Sequence, residues 1–80
     1  MKQKRKRFTK EESERLFGRR VRLVVAFTDI PKGTTGRVIG TDEVEPDGFE
    51  IIVKWEGIDP GTHQTDWFTK EEFEVSLVEE

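Results

Sequence analysis

The apolar positions of this chain follow first a helical period and then a period of two. After the polar run MKQKRKR, Thr9 and Glu12 stand at the spacing of a capping box. In that device the Thr side chain accepts from the backbone N–H three residues on, and the Glu reaches back to the Thr N–H. The pattern predicts a short helix over Lys10–Phe17, with Glu11, Glu12 and Glu14 near its positive end and Gly18 as a left-handed stop. At about two turns such a helix is marginal unless it docks on the body. From Arg19 the period changes: Val21, Leu23, Val25 and Phe27 alternate with Arg20, Arg22, Val24 and Ala26, which predicts a strand whose second half is apolar on both faces.

TDIPKGTTG breaks this strand, with Pro31 suited to a turn and Gly33 and Gly36 free to take positive φ. Arg37–Gly40 reads as a short strand and TDEVEPDG as a second turn-rich connection. Phe49–Glu56 is the clearest strand, with Phe49, Ile51, Val53 and Trp55 on one face, and is expected to be central. GIDPGTHQ is a further loop, and Thr65–Phe68 a brief strand running into a second helix start. There Phe68, Thr69, Glu72 and Phe73 combine a capping box with its hydrophobic staple. Phe73, Val75 and Leu77 then alternate with Glu74, Ser76 and Val78, so a single helical turn is expected to give way to a final strand.

The pentapeptide FTKEE therefore occurs twice, at Phe8–Glu12 and Phe68–Glu72. The two copies lead into different segments, SERLFGRR after the first and FEVSLVEE after the second, so the repeat reads as one helix-start device used twice. The competing reading is a motif with a ligand of its own.

Five short strands separated by turns, with a helical turn before the last, look like the small SH3-like barrel. VRLVVAFTDIPKGTTGRVIG resembles its KOW-type version, in which an apolar strand, a turn carrying Lys-Gly (here Lys32-Gly33) and Gly-x-Val (Gly36-Arg37-Val38) form the opening hairpin. IIVKWEG is similar to a wall strand of bacterial SH3-like modules. The resemblance implies a mainly all-β fold, a five-stranded SH3-like barrel over residues 18–80; the capping box places a short helix at 9–17 before it, and the mutually repelling charges of MKQKRKR a disordered basic tail at 1–8. It also implies a small, soluble bacterial protein. KOW-type members touch RNA or ribosomal and transcription proteins, Tudor-like ones read peptides, and others join assemblies, so the fold does not choose a function.

Eighty residues make one domain, and folding at this size buries only about 60% of the unfolded chain's surface. Little is left for a deep pocket. The absence of cysteine removes disulfides, thiolate metal sites and cysteine nucleophiles, and fits a reducing, cytoplasmic setting. No apolar run comes after the basic start and none approaches a membrane span, so neither secretion by that route nor embedding in a membrane is expected.

The net charge of -3 is divided unevenly. Up to Arg22, ten Lys or Arg against three Glu give +7, and from Leu23 onward four basic against fourteen acidic residues give -10. A nucleic-acid-binding KOW domain would ordinarily be basic on its body; this body is acidic.

Candidate chemistry is sparse. His63, the only histidine, lies in a loop near Asp59 and Asp66, while Ser13 and Ser76 fall on other elements, so no nucleophile and base are expected to meet. Asp42, Glu43, Glu45 and Asp47 crowd one loop but lack the spacing of an EF-hand. No catalysis, metal or cofactor is therefore expected. The aromatic residues Trp55, Trp67 and Phe68 are candidate apolar contacts, with filling of the core as their ordinary alternative. The reading that results is a monomeric, non-catalytic protein-interaction module. It contacts its partner through Trp55, Trp67 and Phe68, and the acidic loop Asp42, Glu43, Glu45 and Asp47 selects basic partners. The second reading is nucleic-acid binding led by the tail residues Lys2, Lys4, Arg5, Lys6 and Arg7, assisted by Arg19, Arg20 and Arg22. A tail that only solubilises the chain is its bland counterpart.

Overall fold

The two Thr-x-x-Glu boxes start helices, as their spacing requires. The computed structural model, which describes residues 7–44 and 48–80, has α1 over Lys10–Leu16 and α2 over Lys70–Ser76. In each, the Thr hydroxyl accepts from the Glu N–H at 3.1 Å and the Glu carboxylate accepts from the Thr N–H, at 2.9 Å for Thr9 and 3.0 Å for Thr69. The strands are β1 (Arg20–Leu23), β2 (Thr35–Val44), β3 (Gly48–Trp55), β4 (Thr65–Phe68) and β5 (Leu77–Glu79). They form one antiparallel sheet in the order β4-β3-β2-β1-β5, so consecutive strands neighbour one another and β5 returns to β1. The fold is thus mainly β, and β3, paired on both edges, has the interior place its apolar alternation predicts.

The inner face of the sheet carries the core: Val21, Leu23, Val38, Ile51, Val53, Trp55 and Phe68, closed by Phe8, Leu16, Ile30 and Leu77. The ordered body consequently begins earlier than residue 9. Phe8 is 4% exposed and exchanges backbone hydrogen bonds of 3.1 and 2.9 Å with Phe49, which fixes α1 against the sheet and supplies the docking that a seven-residue helix needs. The basic tail expected to run to residue 8 therefore loses its last two positions to the fold. α1 stops at Leu16, which is buried, and Gly18 at φ +83° makes the predicted left-handed exit, leaving Phe17 60% exposed.

Three elements depart from the pattern. β1 ends at Leu23 because the adjoining Val24, Val25 and Ala26 are apolar on both sides and carry no in–out preference. The chain turns at Thr28 (φ 50°), so that Phe27 and Ile30 fold back over the core as a small bridge. β2 runs through Thr41–Val44, expected as a turn, because each of those residues finds a partner on β3, after a bulge between Val38 and Gly40. α2 has seven residues rather than one turn: its cap commits it to helix, Phe73 and Ser76 turn inward at helical spacing, and Val75 is left 66% exposed. The Phe73 ring meets Phe8, edge to face at 5.8 Å, while Phe68 packs on Phe27 and Trp55. Among the described residues no helix is long and apolar enough to cross a membrane.

Candidate functional site

Strand alternation sorts the candidate aromatics. On β4, Asp66 and Phe68 face inward and Trp67 outward. Phe68 is fully buried between Phe27 (4.6 Å between ring centroids) and Trp55 (6.0 Å). Trp55 is 2% exposed, lies over the bare backbone of Gly36, and satisfies its indole N–H on Asp66 Oδ2 at 2.8 Å. Both rings are spent on the core, so neither Trp55 nor Phe68 is an apolar contact for a partner, contrary to expectation. Trp67 is 47% exposed.

Trp67 has company on the outer face. Its cross-strand partner is the half-buried Ile52, whose own partner across β2 is Gly40, and the Ile52 side chain lies over that glycine. Beside it, Ile39, the extra residue of the bulge, is 45% exposed. These residues form an apolar row across three strands. A second row lies two residues along the strands: Arg20 on β1 is opposite Arg37 on β2, which is opposite Lys54 on β3. All three are exposed. Arg20 bonds Glu56 (3.1 Å), Arg37 donates to the Gly18 carbonyl (2.9 Å), and Lys54 has no partner among the described residues. The Thr35 hydroxyl first, and then Arg20 and Arg37, hold the Glu56 carboxyl below its ordinary value.

The register separates Arg19 from Arg20 and Arg22. Arg20 and Arg22 share the outer face of β1, and Arg22 makes a two-pronged pair with Glu80 at 2.8 and 3.1 Å. Arg19 precedes the strand, out of phase with both. Arg7 is a structural residue: its guanidinium pairs with Glu50 at 2.9 Å and its side chain is only 12% exposed, so it is not a free tail cation. Lys2, Lys4, Arg5 and Lys6 lie outside the described residues.

Of the acidic group, Asp42 and Glu43 are exposed on β2 opposite Glu50 and Phe49, while Glu45 and Asp47 lie outside the described residues. His63 Nε2 lies 2.9 Å from Asp66 Oδ2, the oxygen that also receives the Trp55 indole. Ser13 and Ser76 are buried in α1 and α2, away from that loop. The described residues enclose no pocket.

The residues that sequence reasoning missed are Ile39, Ile52, Arg37 and Lys54. The outward phase of Ile52 and Lys54 on β3 was visible; their alignment with β1, β2 and β4 depends on register, which no single strand reveals. Comparison of the chain with family models, curated proteins and solved structures yields no match.

Proposed function

We propose that this chain is a non-catalytic binding module built on an SH3-like barrel, and that its ligand surface is the outer face of β2, β3 and β4. Five antiparallel strands with a helix directly before the last support the architectural part of this reading. The observation that carries the functional part is the 47% exposure of Trp67 beside Ile52, in a chain that buries its other tryptophan completely enough to leave 2%. An exposed Trp on a sheet face offers a large, rigid contact area at little conformational cost. A flat face without a pocket suits an extended, flexible chain laid across the strands rather than a small molecule. Chemistry at His63 is not part of the reading, because its partner Asp66 is committed to the Trp55 indole and both serines lie elsewhere.

Immobilised protein and its Trp67→Ala variant, challenged with cell lysate with and without nuclease, test the proposal. The variant should melt with the native protein, since surface substitutions of this kind change stability by only about 0.5 kcal/mol, and should lose the captured material. A folded variant that captures the same material in the same amount would show that the face is wrongly assigned.

A further inference from the structure

The row of cations beside Trp67 bears on what the face binds. Like charges directly opposite one another on neighbouring strands destabilise a sheet. Here two such pairs are fused, Arg20 with Arg37 and Arg37 with Lys54, across strands about 4.8 Å apart. Glu56 pairs with Arg20 and also acts on Arg37, one carboxylate against two cations, while the far end of the row, Lys54, meets Thr65 on β4. Trp67 is the next outward residue after Thr65, about 7 Å along the strand. A strip of excess positive charge thus lies alongside an exposed aromatic ring.

Resting on the outer face as the ligand surface, we propose that its ligand is single-stranded nucleic acid, lying across the strands with phosphates on Arg20, Arg37 and Lys54 and bases against Trp67 and Ile52. Cations that track a backbone, with an aromatic platform for the bases, are the two requirements of single-strand binding, and stacking places no demand on base identity. A duplex keeps its bases stacked on each other and leaves Trp67 without a partner. It also brings further phosphate towards a body that carries -10 from Leu23 onward. An acidic protein segment would satisfy the cations but stacks on the ring only where it carries an aromatic side chain, whereas every base of a single strand offers a π-face. The path is set by charge as well: Asp42 and Glu43 occupy the far end of β2, so the strand crosses from β1 to β4 instead of running along β2.

The test is fluorescence anisotropy of labelled oligothymidylate and oligouridylate of about ten nucleotides, a typical site size for a small domain of this kind. A duplex of equal length and a peptide alternating Glu and Leu are run beside them. Full-length native protein is compared with R37A/K54A, with W67A, and with a chain in which Lys2, Lys4, Arg5 and Lys6 are all replaced by Ser. The single strands should bind more tightly than the duplex or the peptide at about 50 mM salt. In the tail-substituted chain, three phosphate contacts at about 0.7 each predict a log affinity against log salt slope of about -2, reduced to below -1 in magnitude when R37A/K54A is added. W67A should lose roughly tenfold or more in affinity.

Absence of oligonucleotide binding overturns the proposal, as does binding that ignores R37A/K54A and W67A but vanishes with the tail cations. Tighter binding of the peptide overturns it in favour of an acidic protein segment. In these cases a nuclease-resistant capture that still depends on Trp67 leaves the binding face standing, whereas capture indifferent to Trp67 removes the face itself.

Discussion

Gly36 and Gly40 lie on the same strand, and the structure predicts opposite outcomes for the same substitution at the two. The inner row Val21, Gly36 and Trp55 crosses β1, β2 and β3 at one level, and the Trp55 indole lies over the glycine. A Cβ at Gly36 would stand 2.7 Å from Val53 Cγ1, 2.8 Å from the Lys54 carbonyl oxygen and 2.9 Å from Trp55 Cε3. One of these neighbours is backbone and the other two are fixed core side chains, so β2 and β3 must separate or the indole must leave its site above Asp66. Overpacking of this kind costs about 1–3 kcal/mol, and at about 4–8 °C per kcal/mol for a domain of this size Gly36→Ala should melt roughly 4–24 °C below the native protein. At Gly40 the nearest atom, Ile52 Cδ1, is 3.6 Å away, an ordinary contact. Gly40→Ala should therefore be neutral or, through the lower entropy of its unfolded chain, more stable by about 0.4–1 kcal/mol. Thermal melts recorded by circular dichroism measure both. If Gly36→Ala melts at or above Gly40→Ala, the packing of Trp55 over β2 is not as described.

The caps and the carboxylates give two further outcomes. Thr9→Ala and Thr69→Ala each remove one side of a capping box and should each cost about 1 kcal/mol, read as a lowered urea midpoint; an unchanged midpoint for both would contradict the boxes. Glu12, held below its ordinary 4.5 by the hydrogen bond from Lys70 first and the Thr9 N–H second, and Glu80, held down by Arg22, have depressed folded-state values. Their contribution is therefore fully present above about pH 4.5 and is lost as the pH falls through the lower folded values. The melting temperature should be flat from neutrality to about pH 5 and then decline, with a shallower decline in Lys70→Gln; a melting temperature that rises in acid would contradict the sign.

Much of the local structure was legible because each signal was self-contained. Both capping boxes, the Gly18 stop, β3 and β4 arise from residues within a few positions of one another. The failures came where two signals competed or a distant partner decided. Val24–Ala26 offered no alternation, so the turn at Thr28 and the plug of Phe27 and Ile30 were decided by the core they cover. TDEV is polar and sits beside a Pro-Asp-Gly, yet pairing with β3 outweighs its turn composition. The repeated FTKEE is a helix start at both sites, and its two copies also touch: Lys70 of the second bonds Glu12 of the first at 2.8 Å, and Phe8 meets Phe73, the residue after the second. That contact joins the start of the body to its end, so α1 belongs to the core unit and not to an appended arm. Among the site residues, Trp67 was legible from its type and its place on a strand close to a loop, and its outward direction came with the phase of β4.

Charge shows why a count along the chain and a surface can disagree. From Leu23 onward the chain has only four cations, yet register brings two of them, Arg37 and Lys54, beside Arg20. Much of the acidic excess goes elsewhere: Asp42 and Glu43 sit at the far end of β2, and Glu71, Glu72 and Glu74 on α2. At physiological ionic strength the screening length is about 8 Å, shorter than the distance across most of this domain, whose extents are 41 × 25 × 22 Å. An anion held against Arg37 therefore feels the row at full strength and the opposite end of the body weakly. At low salt the screening length grows, and the acidic body opposes the approach of a long polyanion even as the row attracts it more strongly. The net charge governs how a polyanion approaches from a distance, and the register of β1, β2 and β3 governs where it is held.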